Sequence, residues 1–146
     1  MGKKSNVDEL NKLLRGELSA VETYQMALNK LDEMSPAREE VEACMGSHQN
    51  RAMLLRDQVV ALGGTPVGSS GPWGAFAKVV EGTAKIFGEK AAIAALEEGE
   101  DHGLKDYKRE LEDKDCDIKT HTLVMNQLLP AQQQTHARLS ALKKQI

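Results

Sequence analysis

Four long stretches of this chain repeat apolar residues every three to four positions, which is the spacing of one face of an α-helix rather than the alternation of a β-strand. The stretches cover about residues 7–33, 35–62, 89–112 and 117–146. Tight turns separate the first from the second and the third from the fourth. The pattern predicts an all-α four-helix bundle that forms a single domain over residues 1–146. Its second and third helices are joined by a long crossover, about residues 63–88, which contains a short helix at 73–87.

Residues that start, stop or bend helices fall where this arrangement needs them. Ser35 suits a helix N-cap and Pro36 the first helical position, so a second helix is predicted to begin there. Gly63 and Gly64 predict its end. Pro130 lies inside the fourth stretch and has no backbone N–H, so we expect a kink at that point or a simple helix break.

The composition narrows the class of protein. The formal net charge is -3 and Lys and Arg form only short clusters, so nucleic acid is not an expected partner. No apolar run approaches the roughly 20 residues needed to cross a bilayer, so no membrane partner is expected and the cytoplasm is the expected compartment. The two cysteines, Cys44 and Cys116, have no metal-type spacing, which is typical of free thiols in a reducing compartment.

A short motif occurs twice and involves both tyrosines of the chain. GELSAVETY begins at Gly16 and GEDHGLKDY begins at Gly99, and each has the form Gly-Glu, six residues, Tyr. Rotation by about 100° per residue places Glu17 and Glu100 at the centres of the apolar faces of the first and third helices. The two glycines beside them each reduce helix stability by about 1 kcal/mol relative to Ala. They therefore indicate close helix approach or small-molecule access, unless they are simply tolerated.

The second and fourth helices each carry a histidine on or near the apolar face. His48 lies on the stripe of the second helix, and His136 lies within about 40° of the predicted stripe of the fourth, which is Ile118, Met125, Leu129 and Leu139. Buried carboxylates are unfavourable unless a charge compensates them. Two carboxylates and two imidazoles suit Fe, Mn or Zn. The sequence therefore predicts a metal site formed by Glu17, His48, Glu100 and His136, with Glu97 as a substitute ligand on the third helix.

A second interpretation needs no metal. A histidine on an apolar face is more often a satisfied core residue than a ligand, and each glutamate could be solvated at a frayed bundle edge. The polar core residues would then form a hydrogen-bond network of their own. The expected partner is accordingly a metal ion or a small molecule, and assembly into a homo-oligomer is left open.

Several phrases resemble a known family. LLRGELSAVETYQMAL, LGGTPVGSSGPWGAFAKVVEG, EEGEDHGLKDY and LLPAQQQTH are similar to the small bacterial family DUF2383, within the ferritin-like superfamily of di-iron carboxylate bundles, over about residues 7–144. The resemblance implies a ferritin-like fold with a metal centre. It also implies that the glutamates of the first and third helices are ligands, and that Tyr24 and Tyr107 each hold the carboxylate of the opposite motif.

The chain departs from the di-iron pattern on the other two helices. Di-iron bundles carry Glu-x-x-His there, but this chain has Met45-x-x-His48 and Gln133-x-x-His136. Four protein ligands instead of six suit one metal ion, or a weak pair completed by water. Two functions follow as hypotheses. One is a ferritin-like metal protein that handles iron, oxygen or peroxide, with oxidase-like or peroxidase-like activity; the other is a metal-free helical bundle with a binding or stress-related structural role.

Overall fold

The computed structural model describes residues 3–70 and 88–146, together with Lys78 and Gly82. Helix α1 is Lys3–Lys30, α2 is Ala37–Ala61 and α3 is Glu89–Glu112. The fourth helix has three consecutive parts: α4 (Ile118–Leu123), a π-helical turn (Val124–Leu128) and α5 (Leu129–Gln145). These segments confirm the predicted all-α four-helix bundle. Of the predicted short helix at 73–87, only Lys78 and Gly82 are described, and both are helical.

The four helices pack as a ring of neighbours, with α1 against α2, α2 against the fourth helix, the fourth helix against α3, and α3 against α1. None of the helices in the described part of the chain combines the length and the apolar character that a membrane crossing requires.

The end of α2 fixes the start of the crossover. Gly63 has a φ of +80°, a conformation that favours glycine and commonly ends helices. At Gly64 an added Cβ would lie 2.6 Å from a methyl group of Val7, so only a glycine lets the chain pass this close to α1. The Asn11 side chain then donates to the Thr65 carbonyl at 3.1 Å and accepts from the Val67 N–H at 3.0 Å. The predicted stop at Gly63 and Gly64 is confirmed.

Two apolar clusters fill the bundle, one on each side of a polar layer. The first apolar cluster lies at the end that contains the α1–α2 turn: Tyr24, Ala27, Leu28, Leu31, Ala37, Val41, Cys44, Ile93, Leu96, Leu139 and Leu142. The second apolar cluster lies at the opposite end: Leu10, Leu13, Leu14, Leu55, Val59, Tyr107, Val124 and Leu128. Along every helix, buried polar residues separate the two clusters. This polar layer consists of Glu17, His48, Arg51, Glu100, Gln132 and Thr135.

The π turn sets the register of the fourth helix. The Leu129 N–H donates to the Val124 carbonyl, one residue farther back than in an α-helix, directly before Pro130. Before the turn, buried residues recur every four positions at Thr120, Val124 and Leu128, and after it they follow a three-four spacing. The predicted inward positions Ile118 and Met125 are wrong, since these residues are 80% and 50% exposed.

Candidate functional site

The polar layer brings together three of the four residues that the sequence predicted. The His48 Nδ1 lies 2.6 Å from Glu17 Oε2, and its Nε2 lies 2.7 Å from Glu100 Oε1. All three side chains are at least 95% buried. Because a carboxylate only accepts hydrogen bonds, the imidazole donates from both nitrogens and is a bridge between α1 and α3.

The two tyrosines hold the carboxylates crosswise. The Tyr24 hydroxyl on α1 donates to Glu100 Oε1 on α3 at 2.6 Å, and the Tyr107 hydroxyl on α3 donates to Glu17 Oε1 on α1 at 2.7 Å. The predicted pairing of each tyrosine with the carboxylate of the opposite motif is confirmed. The repeated motif therefore builds two equivalent tyrosine–carboxylate pairs around one histidine.

Arg51 belongs to the polar layer and was missed in the sequence. It lies one turn after His48 on α2 and is only 1% exposed. Its Nη1 lies 3.6 Å from Glu17 Oε1 and donates to Gln132 Oε1, while its Nη2 donates to Thr135 Oγ1 at 3.1 Å. The signal was present, because Cys44, His48, Arg51 and Leu55 follow a three-four spacing that places the arginine on the buried face.

Gln132 and Thr135 are the contribution of the fourth helix. The Gln132 amide donates to Glu100 Oε2 at 2.6 Å, and the Thr135 hydroxyl donates to the same oxygen at 3.0 Å. Gln132 fits there because Gly103 faces it: a Cβ on that glycine would lie 2.4 Å from the Gln132 Nε2. These two residues are spaced i, i+3 and lie one position before the pair Gln133 and His136 that the sequence suggested.

Two of the predicted ligands lie outside the polar layer. His136 is on a partly exposed side, where its Nε2 lies 2.5 Å from Asp101 Oδ1. The prediction that it converges with the other three residues is wrong, because Gln132, Thr135 and Leu139 occupy the inward positions of α5. Glu97, the proposed substitute ligand, instead accepts from Lys143 Nζ at 2.7 Å and from the Ser140 hydroxyl.

The charges of the layer compensate one another. Burial alone would raise the pKa of Glu17, but the charges of His48 and Arg51, with hydrogen bonds from His48 and Tyr107, leave that pKa below its ordinary value. Burial alone would lower the pKa of His48, but Glu17 and Glu100 raise it above the ordinary value. Burial, and then the adjacent carboxylate, raise the pKa of both tyrosines, which stay neutral. Two carboxylates thus face an imidazolium and a guanidinium, and their formal charges sum to zero.

Three features of this arrangement count against the predicted metal site. Both ring nitrogens of His48 already lie within hydrogen-bond distance of carboxylate oxygens, whereas a histidine ligand needs one nitrogen for the metal. Arg51 adds a positive charge beside Glu17. Across residues 3–70 and 88–146 and the two described crossover residues, no group of three or more His, Cys, Asp or Glu side chains is placed to hold a metal ion.

A small pocket leads from the surface to the polar layer between α1 and α3. Its volume is about 60 Å³, and Glu17, His48, Tyr107 and Gln132 are among its lining residues. Both motif glycines, Gly16 and Gly99, line its sides. At Gly16 an added Cβ would meet no atom within 4 Å, so this position is open rather than tightly packed. The position of both glycines agrees with the predicted access beside the glutamates.

These features define a four-helix-bundle protein with a buried polar layer of balanced charge and a pocket that opens onto it. The model of a domain of unknown function, DUF2383, matches residues 5–113, and the chain belongs to this family. The match contains Glu17, Tyr24, His48, Arg51, Glu100 and Tyr107 but ends before Gln132 and Thr135. No curated protein and no solved structure matches the chain.

Proposed function

We propose that this protein is a metal-free helical-bundle binding protein and that the pocket between α1 and α3 receives a small uncharged molecule. The observation that carries the proposal is that this pocket ends on the polar layer, at Glu17, His48 and Tyr107. A pocket that ends on fixed polar groups between apolar walls is the usual form of a small-molecule site.

The chemistry of the lining defines the ligand. The carboxylate of Glu17 and the hydroxyl oxygen of Tyr107 retain unused lone pairs, so a ligand that donates hydrogen bonds is preferred. An ionic ligand would bring an uncompensated charge to a layer that is already balanced, which is unfavourable in a buried place. Liquid water occupies about 30 Å³ per molecule, so the pocket has room for two waters or for a solute of a few heavy atoms.

The size of the ligand limits its affinity. The best small ligands gain at most about 1.5 kcal/mol per heavy atom. For three heavy atoms this gives about 4.5 kcal/mol, which corresponds to a dissociation constant near 1 mM. We therefore expect fast exchange and millimolar binding for simple probes.

Three probes of similar size and different charge test the proposal. Formamide, formate and methylammonium are titrated into isotope-labelled protein, and the amide signals around Gly16 and Gly99 are followed by NMR. Formamide should shift these signals in a saturable way at lower concentration than either ion. Stronger binding of formate or methylammonium, or no saturable shift with any probe, would contradict the proposal.

Two glycine variants provide a matched pair for this titration. Gly16→Val places a side chain in the pocket, whereas Gly46→Val adds the same side chain to α2, where a Cβ also meets no atom within 4 Å and no pocket residue is altered. Formamide binding should be lost in the first variant and kept in the second. Equal binding in both would show that the probe binds elsewhere.

A ferritin-like metal protein that handles iron, oxygen or peroxide is the second proposal. Its support is the convergence of two carboxylates and one imidazole, a donor set that suits Fe, Mn or Zn. Elemental analysis of protein purified without chelator, and melting curves with Fe(II), Mn(II) and Zn(II), decide between the two. A metal-free bundle should contain no stoichiometric metal and show unchanged melting. Bound metal, or a melting temperature that rises with metal concentration, would favour the second proposal.

A reducing compartment, such as the cytoplasm, suits both proposals. Cys44 and Cys116 are free thiols. Burial raises the pKa of each to about 12, so neither is an activated thiolate. A stress-related structural role is compatible with this inert thiol chemistry and is part of the proposal of a metal-free bundle.

A further inference from the structure

We infer that Arg51 excludes divalent metal ions from the polar layer, because its guanidinium group supplies the positive charge that a metal ion would otherwise bring there. The inference rests on the proposed metal-free function, and it explains by one residue why the polar layer binds no metal. It makes Arg51 the residue that prevents Glu17, His48 and Glu100 from binding a metal ion.

The first argument is positional. Di-iron bundles place an i, i+3 pair of ligands on each of two helices that face the two glutamate-bearing helices. Here the buried i, i+3 pairs facing Glu17 and Glu100 are His48 with Arg51 on α2, and Gln132 with Thr135 on the fourth helix. One of these four positions therefore carries a fixed positive charge and two carry neutral groups.

The second argument concerns how firmly the guanidinium group is held. Its donors reach the fourth helix at Gln132 and Thr135, and its own helix at Ser47 Oγ, 3.2 Å away. Because the Arg51 side chain is only 1% exposed, its guanidinium group cannot turn into solvent. Gly103 contributes by leaving room for the Gln132 amide that accepts from Arg51. The positive charge is thus fixed by contacts with two helices.

The third argument is electrostatic. A guanidinium cannot be deprotonated in proteins, so its positive charge persists when a metal ion approaches. Its Nη1 is 3.6 Å from Glu17 Oε1, so any ion held by that carboxylate would lie within a few ångströms of a like charge in a poorly solvated place. Like charges at that distance repel strongly.

The test uses Arg51→Gln, which removes the charge and retains an amide that can hydrogen-bond. The matched control is Arg138→Gln, which removes a surface arginine of the fourth helix whose Nε pairs with Glu40 at 3.0 Å. Wild type and both variants are incubated with Zn(II) or Mn(II) and desalted. Bound metal is then measured by elemental analysis, and melting temperature is followed against metal concentration.

We expect stoichiometric Zn(II), and a melting temperature that rises with its concentration, only in Arg51→Gln. Adding Glu17→Gln to this variant should abolish the uptake, which locates the ion. Arg51→Lys, which keeps a positive charge, should stay free of metal.

Each outcome has a distinct meaning. Metal in the polar layer of the wild type overturns both the proposed function and this inference. An empty wild type together with an empty Arg51→Gln overturns this inference alone, and so does equal uptake by Arg138→Gln or uptake by Arg51→Lys. If Arg51→Gln does not fold by itself, refolding it with Zn(II) decides: recovery of the folded state supports the inference, and failure to recover overturns it.

Discussion

One half of the bundle is α1 with α2, and the other is α3 with the fourth helix. Each half contributes one glutamate to the polar layer, but only the first half contributes cations. Helices α1 and α3 each present one glutamate to the polar layer and, seven residues later, one buried tyrosine that reaches the other half. Their partner helices differ: α2 supplies His48 and Arg51, whereas the fourth helix supplies the neutral Gln132 and Thr135. The repeat thus builds two equivalent anions, while a single helix neutralises both of them.

The asymmetry predicts unequal effects when the partner helices are changed. Arg51→Met removes a cation beside Glu17 and leaves buried negative charge without compensation, which costs about 3–5 kcal/mol of unfolding free energy. Thr135→Val removes the hydrogen bond to Glu100 and the acceptor of Arg51 Nη2, and should cost about 1.5–3 kcal/mol. Urea denaturation measures both values. Equal losses, or a larger loss at Thr135, would show that the neutral half contributes as much to charge balance as α2.

Both halves contain a tyrosine–carboxylate pair, so removing either tyrosine hydroxyl should lower the unfolding free energy equally. Tyr24→Phe and Tyr107→Phe each remove one hydroxyl that donates to a buried carboxylate, so each should lower the unfolding free energy by about 1.5–3 kcal/mol. We expect the two values to be similar, because the two tyrosine–carboxylate pairs have matching geometry. A much larger difference between them would mean that the carboxylates are not equivalent.

The pH dependence of stability separates the contribution of Glu17 from that of His48. The folded-state pKa of His48 lies above its ordinary 6.5, so its contribution is complete below pH 6.5 and is lost as the pH rises through the folded-state pKa. The folded-state pKa of Glu17 lies below its ordinary 4.5, so its contribution is complete above pH 4.5 and is lost as the pH falls through the folded-state pKa. For these two groups, stability should be greatest between pH 4.5 and 6.5.

One variant tests whether His48 causes the loss of stability on the alkaline side of that profile. A single proton limits the slope to about 1.4 kcal/mol per pH unit. His48→Gln should remove the decrease on the alkaline side and leave the acid side in place. Unfolding free energies measured across the pH range for both proteins provide the comparison, and an unchanged alkaline slope in the variant would assign it to another group.

The smallest expected effects have opposite signs in the two halves. Gly16→Ala on α1 should stabilise the fold by about 1 kcal/mol, because helical alanine is favoured over glycine and the new methyl group meets no atom within 4 Å. Gly103→Ala on α3 should destabilise it, because the Cβ would lie 2.4 Å from the Gln132 amide. Thermal melting of both variants is sufficient, and stabilisation by Gly103→Ala would show that Gln132 can move without loss.

The sequence predicted the bundle and half of its polar layer for definite physical reasons. Periodicity places a side chain on a helix face without knowledge of the partner helix, so Glu17, His48 and Glu100 could be found. The crosswise tyrosines followed from a resemblance together with the repeat. Arg51 has the right periodicity, but a long arginine side chain can carry its charged end out to solvent from such a position, so periodicity alone does not place its guanidinium in the core.

The fourth helix could not be predicted in the same way. Counting at 100° per residue assumes an uninterrupted α-helix, and the π turn before Pro130 breaks that assumption. The predicted stripe was also anchored on Ile118 and Met125, which are exposed. The inward positions are instead Gln132 and Thr135, and His136 contacts Asp101. A proline in a helix signals that some backbone adjustment is required, but not that the adjustment will be a π turn or where it will lie.

The protonation state of His48 tests most directly whether the chain neutralises its own carboxylates. Nitrogen NMR of ¹⁵N-histidine-labelled protein reports each ring nitrogen separately, and His48→Gln assigns the signals. If two glutamates from the two halves share this one cation, both ring nitrogens carry a proton at neutral pH, and they keep it above the ordinary pKa of 6.5. A neutral ring with one unprotonated nitrogen at pH 6.5, or a nitrogen whose signal moves on addition of Zn(II), would contradict it.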